Sequence, residues 1–166
     1  WSRTQTGRTI FNPDNIDVFY IVNNSIDVNS FQAKLKDINL INKVNIGTIV
    51  YADANMLYTI FRNIISNAIK YTPNKGTVTI SAKDLEDFYE FSISDTGIGM
   101  NDKQLAHLFS LEHIQSLPGT NQEKGTGLGL IISKEFVERN GGQIYVISKV
   151  NVGTTFSFTI PKSPLS

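Results

Sequence analysis

Two glycine-rich hexapeptides, Asp95-Thr96-Gly97-Ile98-Gly99-Met100 and Gly125-Thr126-Gly127-Leu128-Gly129-Leu130, constrain this chain more than any other feature. Each sets glycines among apolar residues, so that bare backbone can approach a neighbour where a Cβ would obstruct it. Two such stretches in 166 residues suggest two sides of one ligand pocket. The run before the first, Phe88-Tyr89-Glu90-Phe91-Ser92-Ile93-Ser94, alternates, which places Tyr89, Phe91 and Ile93 on one strand face. Asp95 continues that apolar face. A carboxylate at a core edge needs hydrogen-bond donors. A nucleobase amino group would supply one; a turn cap built by Asp-Thr-Gly itself is an equally open reading.

A helix is predicted from an Asp53 cap to about Tyr71, ahead of Pro73. At about 100° per residue, Leu57, Ile60, Ile64, Ala68 and Tyr71 form its core stripe. Asn63, Asn67 and Lys70 gather along one edge of that stripe. Three polar residues so placed are usually a solvated flank. The alternative is a magnesium and phosphate site, with amide oxygens as hard ligands and lysine as a point charge.

Elsewhere, residues 1–12 lack periodicity and read as a linker. Pro13 and Asp14 open a predicted helix that runs to Leu35. Strands at 38–44 and 48–52, split by Gly47, look like a hairpin. A strand at 77–82, the strand ending at Asp95 and a short helix at about 102–109 follow. Residues 110–124 read as a long loop of the lid or binding type. The second hexapeptide then enters a helix to about Asn140, where free N–H groups can meet phosphate. Gly141-Gly142 ends that helix, and strands at 143–148 and 154–160 close the chain as a hairpin through Asn151-Val152-Gly153.

Lysine plus arginine number 15, equal to aspartate plus glutamate, so no basic surface recommends nucleic acid as a partner. The absence of cysteine removes disulfides and thiolate chemistry. No apolar run approaches the roughly 18 residues of a membrane helix, so direct membrane contact is not expected. A Walker-type nucleotide site is excluded by the lack of its glycine-lysine motif.

The order of these features resembles the catalytic, ATP-binding domain of bacterial sensor histidine kinases, in the superfamily that includes gyrase B and MutL. The resemblance covers about residues 10–162. The stretch from Asn63 to Thr72 is similar to the family's asparagine box, the two hexapeptides to its glycine boxes, and Gly153-Thr154-Thr155-Phe156 to its late strand motif. It implies a two-layer α/β sandwich: a mixed β-sheet with about three helices on one face, spanning residues 13–162, with a linker and hairpin tail at 1–12 and a C-terminal tail at 163–166. ATP and Mg2+ are the implied cofactors. Asn67 would bind magnesium, with Asn63 beside it and Lys70 near the phosphates, and these three would carry the catalytic contacts. Tyr71 would line the cleft. Asp95 would accept the adenine amino group, with Gly97, Ile98 and Gly99 around it and Thr154 in support. Gly125, Thr126, Gly127, Leu128 and Gly129 would hinge the lid and present backbone to phosphate, with Lys124 as a further cation.

The sequence departs from the family at the phenylalanine box, where Leu108-Phe109-Ser110-Leu111 keeps one phenylalanine and lacks the usual charged residues after it. The two histidines, His107 and His113, lie in or beside the lid and suit no phosphoacceptor role. The implied partners are therefore a histidine-bearing dimerisation domain of the same parent and a response regulator receiver domain. The implied location is cytoplasmic, within a larger sensor, and this piece is expected to be a monomer. A non-catalytic nucleotide-binding regulatory module and an anti-sigma-type serine kinase are the competing functions; the helical stub at 1–7 disfavours the second.

Overall fold

The computed structural model describes residues 10–110, 119–120 and 127–165. The N-terminal stub, His113, Lys124, Gly125 and Thr126 lie outside the described residues. In chain order the elements are β1 (Pro13–Asp17), α1 (Val18–Leu35), β2 (Asn39–Asn42), β3 (Ile49–Asp53), α2 (Ala54–Tyr71), β4 (Thr77–Asp84), β5 (Phe88–Asp95), α3 (Asp102–Ala106), α4 (Gly129–Arg139), β6 (Ile144–Lys149) and β7 (Gly153–Pro161).

Among the described residues, five strands form a mixed sheet in the order β2-β4-β5-β7-β6, in which β2 and β4 run parallel and the other neighbours antiparallel. The alternation seen in the sequence sets its register. Phe91 and Ile93 of β5 lie opposite Phe158 and Phe156 of β7, and all four are buried. Over that face lies α2, which packs against both α1 and α4. The Phe61 ring of α2 meets Phe158 edge-on at 5.1 Å and Phe91 at 5.6 Å. Such pairs contribute about 0.5–1.5 kcal/mol each beyond their burial, and here they fix α2 above the two central strands. The buried face of α2 is wider than a single stripe, adding Met56, Phe61, Ile65 and Ile69, because the helix is covered on its flanks as well as beneath.

Two expectations are corrected. Residues 13–17 form a strand, not the start of a helix: β1 pairs antiparallel with β3, with Ile16 opposite Val50. The helix starts at Val18 because the Asp17 carboxylate accepts from Phe19 N at 3.1 Å. Nor do the next two strands form a hairpin. β2 joins β4 while β3 joins β1, since the turn holding Thr48 Oγ1 on the Asn45 carbonyl at 2.7 Å redirects the chain.

Asp53 caps α2 as expected, accepting from Met56 N at 3.0 Å through Oδ1. Its Oδ2 also accepts from Asn12 N at 2.8 Å, and the residue is 5% exposed. Replacing it with alanine therefore loses the cap and a second, part-buried hydrogen bond from the exposed Asn12. Asp53→Ala should lower stability by about 2 kcal/mol in denaturant unfolding, and Asp53→Asn, which keeps a single acceptor oxygen for donors that use two, should recover only part of that loss.

Candidate functional site

The site forms where the end of β5 meets the C-terminal half of α2. Asp95 is the last residue of β5, paired with Val78 of β4 and Thr154 of β7. One carboxylate oxygen, Oδ1, accepts from Gly97 N at 2.8 Å and from Thr154 N at 3.1 Å. Among the described residues Oδ2 takes no hydrogen bond. The turn-cap and ligand readings of Asp95 therefore coexist: one oxygen closes the turn, and the other is uncommitted. Burial raises the carboxyl above its ordinary value, and the two backbone N–H groups pull it only partly back.

Glycine is demanded here by the protein's own backbone. A Cβ on Gly97 would lie 2.5 Å from the Tyr71 carbonyl oxygen, and one on Gly99, at φ +69°, would lie 2.0 Å from the Lys149 carbonyl oxygen. Neither obstacle can yield as a flexible side chain would. The Ile98 N–H donates to the Tyr71 carbonyl at 3.0 Å and its carbonyl accepts from Asn151 N at 2.7 Å, so the turn is held from both sides.

Thr154 is buried, and its hydroxyl bonds Ser148 Oγ at 2.7 Å. Ser148 Oγ in turn accepts from Met100 N at 2.8 Å, tying the first hexapeptide to the closing hairpin. Ser148 was missed in the sequence. Its position, in register with the inward Ile144 and Val146 of β6, was the available signal.

Along α2, Asn63 and Asn67 are half-buried, as are Lys70 and Tyr71. Asn63 Nδ2 donates to the Gly129 carbonyl at 3.2 Å, joining α2 to the first turn of α4. A Cβ on Gly129 would make ordinary contact with the same side chain at 3.5 Å. Leu128, at the N-cap of α4, is helical and provides no side-chain cap. Gly127 takes φ +75° just before it. Lys70 Nζ sits 5.1 Å from the centre of the Tyr71 ring. The structure thus groups Asp95, Gly97, Ile98, Gly99 and Thr154 at one end, and Asn63 with Gly129 at the other. Lys70 and Tyr71 close α2 at the first end, where the Tyr71 carbonyl meets Ile98. No group of three histidine, aspartate or glutamate side chains able to hold a metal occurs among the described residues. None of their helices is long and apolar enough to cross a membrane.

A α/β sandwich with two glycine turns flanking an asparagine-bearing helix defines a nucleotide-binding ATPase class. Residues 52–164 match the model of the histidine kinase-, DNA gyrase B- and HSP90-like ATPases, and the chain belongs to that family. It is 38% identical over 129 residues to the circadian input-output histidine kinase CikA of Synechococcus elongatus, covering 78% of this chain and 17% of that protein. The catalytic domain of histidine kinase ThkA superposes with a TM-score of 0.79 at 23% identity, covering 92% of this chain and 99% of that one. The mycobacterial sensor histidine kinase MprB gives a TM-score of 0.76 at 25% identity, with 94% and 100% covered. A further structure of ThkA, in complex with response regulator protein TrrA, gives 0.76 at 19% identity, covering 98% of this chain and 46% of that one. The chain spans between 8% and 29% of the length of the curated relatives it matches. It is an ATP-binding domain of the histidine-kinase type.

The raised carboxyl of Asp95 carries a stability consequence. The folded state holds this proton more tightly than the unfolded chain, whose value is near 3.8. The group's contribution to stability is therefore greatest below that pH and falls as pH rises through the folded value. Asparagine keeps an oxygen for both N–H donors and removes the desolvated charge. Without ligand at pH 7, Asp95→Asn should melt at or above wild type, and the gap should close as pH is lowered toward 4.

Proposed function

We propose that this domain binds Mg-ATP and supplies its γ-phosphoryl group to a histidine on an adjoining dimerisation domain of the same parent protein. The observation that carries the proposal is the divided Asp95 carboxylate, with one oxygen anchored by two backbone N–H groups and the other uncommitted beside a glycine turn. An exocyclic adenine amino group is a donor matched to that second oxygen. Thr154 and Ser148 would set the local hydroxyl network around the base, and Tyr71 would flank it.

The residues present also suit the phosphate end and its metal. Magnesium keeps several waters and takes few protein ligands besides phosphate, so one hard amide oxygen from Asn67 beside phosphate oxygens and water could hold it. Asn63 already holds Gly129, and through it α4, whose first turn lacks a side-chain cap and can offer N–H groups to an anion. Lys70 adds a positive charge. Bound magnesium would neutralise phosphate charge; the protein's share is to place the nucleotide and exclude alternatives, as phosphoryl transfer generally requires. His107, exposed in the turn after α3, has no part in this scheme. Transfer of the phosphoryl group onward to a response regulator, in the cytoplasm, follows from the same assignment, as does a monomeric state for this piece alone.

Calorimetric titration with ATP, with and without magnesium, tests the site. Asp95→Asn should weaken ATP binding at least tenfold, the loss of about one charge-assisted hydrogen bond, while Asn67→Ala should remove mainly the gain due to magnesium. Binding should also weaken as pH falls and Asp95 protonates, since the neutral carboxyl is a weaker acceptor than the carboxylate. A folded Asp95→Asn variant with unchanged affinity would show the base pocket to be misplaced. Fusing a histidine-bearing helical hairpin and measuring phosphohistidine separates a kinase from a regulatory binding module.

A further inference from the structure

The carbonyl groups that end a helix have no partner within it, and those of α2 are met by three separate segments. Lys36 Nζ donates to the Ile69 oxygen at 2.8 Å and to the Lys70 oxygen at 3.2 Å. Thr120 N also donates to the Lys70 oxygen, at 3.0 Å, and Ile98 N donates to the Tyr71 oxygen at 3.0 Å. Thr120 Oγ1 donates to the Thr72 oxygen at 3.1 Å while accepting from Lys36 Nζ at 2.6 Å. Lys36 forms the C-cap of α1, and only 3% of it is exposed. Its own carbonyl accepts from Lys75 N at 2.8 Å, which fastens the turn after α2 to the same point.

A buried ammonium is costly unless oxygens replace its water. Here carbonyls at the negative end of the α2 dipole and one hydroxyl do so. Surface lysines serve solubility with far less order, so a lysine carried into the interior and aimed at this helix end has another role. We propose that Lys36 is a positioning residue for the nucleotide site. Its ammonium joins Gly119–Thr120 to the last turn of α2, and the joint sets Lys70, Tyr71 and the glycine turn at Ile98 in their binding geometry. The proposal rests on the nucleotide assignment above. Lys36 acts through Thr120 and the helix end. The hydroxyl is the critical partner, because it must accept from Lys36 and donate to Thr72 at once.

The test is calorimetric titration of the whole chain with Mg-ATP for Thr120→Val, Thr120→Ser and Lys36→Ala, with Asp95→Asn alongside. Thr120→Val keeps the volume and loses both hydroxyl bonds, and should weaken binding about tenfold. Thr120→Ser keeps them and should stay within about twofold of wild type. Lys36→Ala should lose at least as much as Thr120→Val. Part of that loss should return in ammonium chloride and not in sodium chloride at equal ionic strength, a recovery that a general packing defect would not show. Should Lys36→Ala fail to fold, the Thr120 pair decides alone. Wild-type affinity in Thr120→Val, with binding weakened about tenfold or more by Asp95→Asn, overturns the joint and leaves the nucleotide assignment standing. Wild-type affinity in Asp95→Asn overturns both.

Discussion

The contact on which the rest depends is the docking of the first glycine turn onto the end of α2. Ile98 N bonds the Tyr71 carbonyl, and Gly97 is pressed so close to the same oxygen that no side chain fits between them. That contact brings the carboxylate at the end of β5 within reach of the helix that carries Asn63, Asn67 and Lys70. It holds only because the Phe61, Phe91 and Phe158 rings lock α2 over the central strands a few turns away. Aromatic packing sets the height of the helix above the sheet; one backbone hydrogen bond then sets its end against the turn.

The folded protein accepts an energetic penalty at this contact. Asp95 is brought into a half-buried place where its charged form is disfavoured, with one oxygen satisfied by Gly97 and Thr154 and the other left open. A chain selected for stability alone would place a neutral acceptor there. The same logic applies to Lys36, a buried cation whose desolvation is offset only by the carbonyls and the hydroxyl around it. Both groups lie at the ends of regular elements, where backbone N–H and C=O groups lack ladder partners and are free to organise polar chemistry.

Much of this was legible in the sequence because the signals were local. The Asp53 cap, the period of α2, the alternation of β5 and the closing hairpin each depend on neighbours within a few residues, and each formed nearly where expected. The two-layer sandwich and the family followed from their order. The misassigned elements were those decided by distant partners. Residues 13–17 become a strand because β3 lies beside them, and β2 leaves its sequence neighbour to run parallel with β4. Gly97 and Gly99 are points of close approach, as the first hexapeptide suggests, but the approaching group is the protein's own backbone, and at Gly129 of the second hexapeptide a Cβ would make only ordinary contact. Ser148 offered a weak signal, one polar residue on an apolar strand face. Lys36 offered none, since nothing near it in sequence shows that its ammonium turns inward to a helix end more than thirty residues away.

The nucleotide assignment turns on the proposed contact between the open oxygen of Asp95 and the amino group of adenine. It is tested most directly by comparing affinities for ATP and for purine riboside triphosphate, which lacks only that amino group, in wild type and in Asp95→Asn. Wild type should prefer ATP by about tenfold or more, and the variant should bind the two with near parity. Equal affinities in wild type, or a preference that survives the substitution, would contradict it.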